Sequence, residues 1–236
     1  MDLFTVAIPA CNEEENIKRI DKELIPVMKN IGMPYEILVI DDGSTDKTAE
    51  EVRRLQKKYK NIRLVQHDRN LGLGAGTRTA VKNSKGSILL FLDADFTFHP
   101  REIPKLLEKY RDGDYDCIIG TQFGKGGKTK MQAHRKFLSK SVNTLYRFML
   151  GRNITTISSI FRLYRKSALK GISMKSNNFD ICAEMLFDMI KKNRKITEVP
   201  VTLTTRIYGE SKISNTREIK NHLKLLSKIA KWRIVG

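Results

Sequence analysis

Cysteine is scarce in this chain, and long apolar runs are missing. The 236 residues include only three cysteines, Cys11, Cys117 and Cys182, which are far apart and odd in number. This pattern excludes a disulfide framework and a cysteine-based zinc site, and it is typical of a reducing compartment. No stretch approaches the roughly 18 consecutive apolar residues of a membrane-spanning helix, and residues 1–4 lack the pattern of a secretory signal. We therefore expect a soluble or peripheral protein without transmembrane helices.

Acidic residues are scarce in the second half of the chain. Residues 1–116 hold 19 Lys or Arg against 20 Asp or Glu, whereas residues 117–236 hold 25 against 6. The net charge of +18 therefore comes entirely from the second half. A half this basic indicates an anionic partner, and nucleic acid, phosphorylated substrates and the anionic membrane surface are the candidates. A solvated, lysine-rich surface without a partner is the alternative.

Short apolar runs alternate with amphipathic stretches through the first 120 residues. We predict strands at 3–8, 35–40, 62–66, 87–92 and 115–120, and helices at 13–29, 47–59, 75–83 and 101–110. This rhythm is typical of an α/β protein with a Rossmann-like, mostly parallel sheet and helices on both faces. Beyond residue 120 we predict a mobile loop at 124–128, helices at 132–150, 179–192 and 216–233, and strands at 157–164 and 195–204.

Acidic residues follow three of the predicted strands. Asp93 and Asp95 come after the run 87–92, Asp41 and Asp42 after the second strand, and Glu13 shortly after the first. The carboxyl ends of parallel strands meet in one crevice, where such sheets bind ligands. Mg²⁺ or Mn²⁺ typically binds through one or two carboxylates while substrate phosphates complete its shell. The pattern indicates a metal–diphosphate site, and capping of the following helices is the alternative for each carboxylate.

Four motifs carry a family resemblance, namely Pro9-Ala10-Cys11-Asn12-Glu13, Asp41-Asp42-Gly43-Ser44-Thr45-Asp46, Asn70-Leu71-Gly72 and Asp93-Ala94-Asp95. In this order and spacing they resemble the nucleotide-sugar domain of family 2 glycosyltransferases. Later motifs lie at Gly126-Gly127, Arg135, Ser139, Phe161-Arg162-Leu163-Tyr164 and 206–212. They are similar to those of dolichyl-phosphate mannose synthases and related polyprenyl-phosphate glycosyltransferases.

The resemblance implies a GT-A fold and a set of site residues. The implied nucleotide-sugar contacts are Pro9, Cys11, Glu13, Ile40, Asp42, Asp93, Ala94, Asp95, Arg206 and Lys212. Of these, Asp93, Asp95, Arg206 and Lys212 are the implied catalytic residues. The implied metal contacts are Asp93, Asp95 and Thr97, and the implied contacts to the acceptor phosphate are Arg135 and Ser139.

The chain departs from the family pattern at four positions. Thr97 stands where Gln or Ser is frequent, Gln122 where Arg is frequent, Thr156 where Asp is frequent, and Ile160 where Gly is usual. The last three positions lie around the acceptor in the family, so they bear on acceptor identity more than on the donor.

Few groups in the second half could activate a hydroxyl acceptor, which needs a general base. The acids there lie on predicted helices, in a strand pattern for Glu198 and in the 205–215 loop for Glu210. His99 and His134 have no evident carboxylate partner, so we expect both rings to be solvated. A phosphate monoester has a second pKa of about 6 and is already largely ionised at neutral pH. A phosphate acceptor held by cations such as Arg135 is therefore favoured.

These features predict an inverting, metal-dependent glycosyltransferase that uses Mg²⁺ or Mn²⁺ as its cofactor. It would move a hexose, mannose from GDP-mannose by preference, to a polyprenyl or dolichyl phosphate. We divide its single domain into a donor-binding part at 1–120, an acceptor-binding part with mobile loops at 121–215, and a basic amphipathic helix at 216–236. We expect it on the cytoplasmic face of the membrane, attached through basic helices to anionic lipid or through a membrane partner subunit.

Four alternatives stay open at this point. The donor could be a UDP-hexose, the acceptor could be soluble or a polysaccharide, and the reaction could be nucleotidyl transfer on a similar sheet. The alternative of another class is a basic nucleic-acid-binding protein, suggested by the pI of about 9.9. No RNA-binding or helix-turn-helix signature accompanies that charge, so we expect no nucleic-acid partner.

Overall fold

A seven-stranded sheet forms the centre of the molecule. The computed structural model describes residues 2–124, 126–129, 133–209 and 215–235, and it describes the backbone alone at 133–138, 140, 215–219 and 235. The strands are β1 (Phe4–Ala10), β2 (Tyr35–Asp42), β3 (Ile62–His67), β4 (Ile88–Phe91), β5 (Cys117–Thr121), β6 (Lys128–Thr129), β7 (Arg162–Arg165), β8 (Ile196–Pro200) and β9 (Thr202–Leu203). The large sheet has the order β3-β2-β1-β4-β7-β5-β8, and β6 pairs with β9 in a separate two-stranded sheet.

Most strand pairs of the large sheet are parallel. β1 pairs in parallel with β2 and β4, β2 with β3, and β5 with β8. β7 runs antiparallel to both of its neighbours, β4 and β5, so these two strands point in the same direction. The carboxyl ends of β1 to β5 and of β8 therefore lie along one side of the sheet, which we call the carboxyl edge. The predicted α/β class with a mostly parallel sheet is confirmed.

Helices pack against both faces of this sheet. They are α1 (Glu14–Arg19), α2 (Ile25–Ile31), α3 (Thr48–Lys58), α4 (Leu73–Asn83), α5 (Ile103–Arg111), α6 (Ala133–Leu150), α7 (Ile181–Lys191) and α8 (Asn215–Val235). A π-helical segment, Ile20–Leu24, joins α1 to α2, and a 3₁₀ turn at Pro100–Glu102 leads into α5. Among the described helices, we find none that combines the length and the apolar character needed to span a bilayer.

Alternating side chains of the buried strands build a core on each face. Val6 and Ile8 of β1 pack into one core together with α1, α2, α3 and α5, whereas Ala7 between them points into the other. The second core contains residues of α6, α7 and α8, including the fully buried Tyr146 and Ile229. Successive residues of a strand point to opposite faces, so a strand covered on both sides is apolar throughout. This explains the short, continuous apolar runs of the sequence.

The helix predicted at 13–29 is interrupted by the π-helical segment, and three further predicted elements differ from the observed ones. The stretch predicted as a strand at 157–164 is a strand only from Arg162, where β7 begins. Residues 157–161 form a loop, in which the Ile157 amide donates to Asn143 Oδ1 at 3.1 Å. The stretch 195–204 divides into β8 and β9, since the chain leaves β5 after Val201 and turns to β6. The loop predicted at 124–128 contributes Lys128 to β6, whereas residue 125 lies outside the described residues.

Gly74 lies where α4 contacts the segment at 174–177. Its amide donates to the Asn177 carbonyl at 2.9 Å, and a Cβ added at position 74 would lie only 2.0 Å from the Ser176 carbonyl oxygen. Gly76 in the same helix has room, because the nearest atoms to an added Cβ are 3.6 Å away on Pro9 and 3.9 Å away on Ile40. The first glycine is therefore needed for close packing, and the second is not.

We predict opposite effects for two alanine substitutions in α4. Gly74→Ala forces backbone away from backbone and should lower the free energy of unfolding by about 1–3 kcal/mol, as overpacking typically does. Gly76→Ala should leave it unchanged or raise it by up to about 1 kcal/mol, because alanine is the better helix former. Urea unfolding followed by circular dichroism measures both values. Equal effects of the two substitutions would contradict the packing described for Gly74.

Candidate active site

The carboxyl edge gathers the acidic turns that the sequence indicates. Asp41 and Asp42 end β2, and Asp93 follows β4 by two residues. Glu13 follows β1 and lies close enough to Asp93 to raise the pKa of its carboxyl. The structure therefore brings Glu13, Asp93 and Asp95 together at one place on the edge.

Asp95 is buried and its carboxylate is held on both oxygens. Oδ1 accepts the Thr97 amide at 2.9 Å, and Oδ2 accepts Nε and Nη2 of Arg206 at 2.8 and 2.7 Å. The Asp95 carbonyl accepts Arg19 Nη1 at 2.7 Å, and the Arg19 guanidinium lies 5.1 Å from the centre of the Phe96 ring. Phe96 itself has a φ of 52°, so the turn after β4 is tight and is fixed from α1.

Asp93 is surrounded by charge. Burial of the carboxyl, the neighbouring Asp95 and, to a smaller degree, Glu13 raise the pKa of Asp93 to about 8, while Arg206 acts in the opposite direction. A carboxyl whose ionised form is this disfavoured is typical of a functional site that gains a cation. Oxygen atoms of two carboxylates are also the ligand type that Mg²⁺ and Mn²⁺ prefer.

Backbone pairing with the Asp95 turn positions Arg206. The Thr97 carbonyl accepts the Thr204 amide at 2.8 Å and the Thr204 hydroxyl at 3.0 Å. Two residues after Arg206, the Tyr208 carbonyl accepts Asn16 Nδ2 at 3.4 Å. The segment 204–208 therefore lies across the carboxyl edge between the Asp95 turn and α1.

Asp42 organises the turn after β3 in addition to facing the edge. Its Oδ1 accepts the Leu71 amide at 2.9 Å and lies 2.6 Å from His67 Nδ1, and its Oδ2 accepts the Gly72 amide at 2.8 Å. His67 is held from its other side, with Nε2 2.8 Å from Thr79 Oγ1. Sequence reasoning missed His67, although it ends β3 and stands opposite Asp42 in the sheet register, where the strand-end argument applies equally.

Other predicted nucleotide-contact positions surround this turn. Asn70 Nδ2 lies 3.1 Å from the Cys11 sulfur, which connects the β1 turn to the β3 turn. Pro9 and Ile40 both face α4 near Gly76, but the Ile40 side chain is fully buried in the core. A ligand contact at Ile40 would therefore involve its backbone. Ser44 and Asp46 connect the loop after β2 to the turn after β1, since they accept the amides of Asn12 and Glu14.

A second polar cluster lies at the carboxyl edge beyond β7. Glu198 of β8 accepts the Thr155 amide and hydroxyl at 2.9 Å and the Thr156 amide at 3.0 Å. The Thr121 hydroxyl lies 2.8 Å from that of Thr155 and contacts that of Thr156. Burial raises the pKa of Glu198, against the effect of these amide donors. Sequence reasoning assigned Glu198 only to a strand pattern, because the loop that it holds is 42 residues away along the chain.

His99 corrects one prediction. Its Nε2 lies 3.1 Å from Glu23 Oε2, so this histidine does have a carboxylate neighbour, contrary to our expectation of a solvated ring. Its Nδ1 accepts the Arg101 amide at 3.1 Å, and Glu23 is also paired with Arg19. The ring therefore caps the 3₁₀ turn before α5 and links it to the π-helical segment.

The predicted acceptor residues are only partly described. Ser139 lies on α6 and is half-buried, while Arg135 is part of the same helix but its side chain is outside the described residues, as is that of His134. Lys212 and Glu210 lie outside the described residues altogether.

Solved structures of glucosyl-3-phosphoglycerate synthase from Mycobacterium tuberculosis share the architecture of this chain. The complex with Mn²⁺, uridine-diphosphate and phosphoglyceric acid has a TM-score of 0.70 at 18% identity, and the match covers 98% of this chain and 78% of that one. The complex with Mg²⁺ and uridine-diphosphate has a TM-score of 0.73 at 18% identity, with 95% and 79% covered. At this identity the likeness concerns the fold, and it confirms the predicted GT-A-type fold.

Two relatives are similar in sequence. The dolichol-phosphate mannosyltransferase of Pyrococcus furiosus is 32% identical over 231 residues, which are 97% of this chain and 64% of that protein. The undecaprenyl-phosphate 4-deoxy-4-formamido-L-arabinose transferase of Pectobacterium atrosepticum is 30% identical over 214 residues, with 89% of this chain and 62% of that protein covered. The chain thus spans somewhat less than two thirds of the length of either relative.

The family model described as glycosyl transferase family 2 matches residues 5–173, from the first strand of the sheet to the loop before α7. This range includes the motifs at 9–13, 41–46, 70–72 and 93–95, and it favours the enzyme over the nucleic-acid-binding alternative. The chain therefore belongs to glycosyl transferase family 2.

Proposed function

We propose that this chain transfers a hexose, with inversion, from a nucleotide sugar to a polyprenyl phosphate in a reaction that depends on Mg²⁺ or Mn²⁺. The observation that carries the proposal is the pair Asp93 and Asp95 at the carboxyl edge, with Arg206 bound to the second carboxylate. The names of both relatives refer to a lipid phosphate, dolichol phosphate in one and undecaprenyl phosphate in the other. The similarity to a mannosyltransferase favours mannose as the transferred sugar, and we propose GDP-mannose as its donor.

A UDP-hexose is the second candidate donor. The structural neighbours are described with uridine-diphosphate or uridine-diphosphate-glucose. In the proposal, Pro9, Cys11, Glu13, Ile40, Asp42 and Ala94 contact the nucleotide sugar at the ends of β1, β2 and β4. The orientation of the Asp42 carboxylate suits a nucleotide contact, because donors from His67, Leu71 and Gly72 already fix it. A base N–H group would be a suitable further donor to it.

Asp93 and Asp95 are the proposed metal ligands, with Thr97 beside them. Burial and the neighbouring Asp95 raise the pKa of Asp93, which supports this assignment because a bound cation would favour the ionised carboxylate. When bound, the ion would neutralise charge that develops on the departing diphosphate. Within the described part of the chain, no group of three or more His, Cys, Asp or Glu residues could hold a metal ion. Substrate phosphate and water would therefore complete the shell.

Arg206 and Lys212 are the proposed cations for the diphosphate of the donor. Arg206 already lies at the carboxylates, and the turn that follows it ends at Gly209, which has a φ of 77°. In the proposal the Arg206 side chain exchanges the Asp95 carboxylate for a phosphate by rotating about its own bonds. The planar carboxylate and the tetrahedral phosphate both suit a guanidinium. As charge grows on the departing diphosphate, these cations would stabilise it.

A phosphate acceptor fits the way in which Glu198 is bound. Its two oxygens are occupied by three donors, the Thr155 amide and hydroxyl and the Thr156 amide, so we propose that this carboxylate supports the loop and is not the base for an acceptor. An ionised phosphate monoester can attack without a protein base. Arg135 and Ser139 of α6 are the proposed contacts to it.

The helices α6 and α8 form the proposed membrane-facing surface. They pack together through Tyr146 and His222, whose side chains meet at 2.8 Å. Large apolar side chains nevertheless stay exposed on both, with Phe148 at 79% and Ile234 at 84%. Among the side chains that the structure describes on these two helices, the exposed basic ones are Arg147, Lys220, Lys224, Lys228, Lys231 and Arg233. Apolar side chains among cations are typical of a helix pair resting on anionic lipid, where the acceptor would also be found.

The proposed reaction is tested by turnover. The chain is incubated with Mn²⁺, an undecaprenyl phosphate in detergent, and either GDP-mannose or UDP-glucose. We expect one donor to give a glycosylated lipid phosphate and a nucleoside diphosphate, and a chelator to abolish the reaction. Asp95→Asn should lower kcat by at least about a hundredfold, as loss of a preorganised charged group at the reacting centre does.

The control is Asp114→Asn, which removes an exposed carboxylate that precedes β5 and so lies away from the carboxyl edge. It should leave turnover unchanged, and the thermal melting of both variants should match that of the wild type. Turnover that persists with chelator, or in Asp95→Asn, would refute the metal assignment. Release of pyrophosphate would identify nucleotidyl transfer instead, and transfer that ignores the lipid phosphate would refute the acceptor.

Membrane contact is tested by co-sedimentation with vesicles that contain phosphatidylglycerol. Replacing Lys224 and Lys228 by Gln should weaken binding by roughly 1 kcal/mol per lysine, and Phe148→Ser should weaken it further. Replacing Lys57 and Lys195, which are exposed on other elements, should have much less effect. Equal losses in the two lysine pairs would mean that net charge alone attracts the protein, and would refute the α6–α8 surface.

A further inference from the structure

The contact between Arg206 and Asp95 joins two groups to which the proposed function gives different partners. Asp95 is a proposed metal ligand, and Arg206 is a proposed phosphate ligand, yet here they bind each other. Both nitrogens of the guanidinium edge, Nε and Nη2, donate to the same oxygen, Asp95 Oδ2, at 2.8 and 2.7 Å. An oxygen that accepts two charged donors has both lone pairs engaged.

The remaining oxygen of Asp95 has its own donor. Oδ1 accepts the Thr97 amide at 2.9 Å, a bond within the turn itself that orients the carboxylate. The Arg206 pair is therefore the contact that an incoming cation has to displace at Oδ2. Asp95 is 6% exposed and Arg206 is 30% exposed, so the pair is poorly screened by solvent.

Electrostatics separates the effects of a metal and of a nucleoside diphosphate on this pair. A divalent ion alone competes with Arg206 for Asp95 and is repelled by the guanidinium. A nucleoside diphosphate brings negative charge that attracts both the ion and Arg206, and so provides the guanidinium with a new partner. The two ligands then assist each other, because each removes the obstacle to the other.

The local backbone allows this exchange of partners. Arg206 follows a firmly paired residue, since Thr204 bonds to the Thr97 carbonyl through both its amide and its hydroxyl. Beyond Arg206 the contact from Asn16 to the Tyr208 carbonyl is long, at 3.4 Å. The backbone before Arg206 is thus fixed beside the Asp95 turn, and a change of partner would require only the side chain of Arg206 to move.

We propose that Arg206 acts as an internal cation that occupies the metal-binding carboxylate until a nucleoside diphosphate arrives, so that metal and nucleotide bind with positive coupling. This inference rests on the proposed function of the carboxyl edge. It adds that the ion binds weakly alone and tightly with the nucleotide, and that Arg206 is responsible for much of the difference. By linkage, the nucleotide gains the same factor from the ion.

The experiment measures binding, not turnover. Mn²⁺ is titrated into the wild-type chain and into Arg206→Gln, with and without GDP or UDP, and free Mn²⁺ is followed by electron paramagnetic resonance. In wild type the nucleotide should tighten Mn²⁺ binding by a factor in the usual coupling range, about 5- to 150-fold. Without nucleotide, Mn²⁺ should bind several-fold more tightly to Arg206→Gln than to wild type. With nucleotide, Mn²⁺ should bind more weakly to Arg206→Gln than to wild type.

Two controls separate this effect from general charge and from misfolding. Arg165→Gln removes a cation of the same charge that pairs with Asp114 away from the carboxyl edge, and it should change neither titration. Arg206→Lys keeps the charge but not the two-pronged contact, and it should retain part of the coupling. Matching circular dichroism spectra and melting temperatures show that the variants are folded.

The outcomes distinguish this inference from the proposed function. If Mn²⁺ binds equally well with and without nucleotide in wild type, and Arg206→Gln changes nothing, the inference is refuted while the metal site stands. If Arg206→Gln weakens Mn²⁺ binding even without nucleotide, Arg206 supports the ligand instead of competing with the ion, and the inference is again refuted. If Mn²⁺ does not bind under any condition, the proposed function itself fails.

Discussion

Burial of carboxylates beside one another at the end of a parallel sheet is the constraint on which the site depends. Burial, then the neighbouring Asp95 and to a smaller degree Glu13, raise the pKa of Asp93 to about 8, far above that of a solvated aspartate. In this structure the Arg206 guanidinium, which pairs with Asp95, lowers the pKa of Asp93 and so partly offsets this effect. We propose that a divalent metal takes the place of Arg206 beside these carboxylates during catalysis, while the diphosphate binds both the metal and Arg206. Binding of the substrate would then relieve an unfavourable arrangement of charges.

The fold holds this cluster through contacts that are distant in sequence. Arg19 of α1 bonds to the Asp95 carbonyl and lies over Phe96, so the turn after β4 is fixed from the first helix. The Thr97 carbonyl then holds Thr204, and with it the segment that carries Arg206. These links connect residues separated by up to 107 positions, and they turn the ends of separate elements into one site.

A site residue can be predicted from sequence when the feature that marks it lies next to it in the chain, and not when its partners are distant in sequence. Asp93 and Asp95 are predictable because an apolar strand directly precedes them, and the parallel class follows from the alternation of strands and helices. His67 and Glu198 are not singled out in this way, since their importance arises from the sheet register and from a loop contributed by another part of the chain. The predicted strands at 157–164 and 195–204 are longer than the observed ones. Apolar composition does not reveal where a side chain such as Asn143 binds a backbone amide in place of a neighbouring strand. His99 was expected to be solvated for the same reason, as its neighbour Glu23 lies 76 positions away.

The most direct test of the central claim is a crystal structure of the chain with Mn²⁺ and GDP or UDP, in which anomalous scattering locates the metal. We expect one ion bound by carboxylate oxygens of Asp93 and Asp95 and by the diphosphate of the nucleotide. We also expect that the Arg206 guanidinium has left Asp95 for a phosphate oxygen. A metal bound elsewhere, or a nucleotide bound while Arg206 still pairs with Asp95 and no ion is present, would contradict this claim.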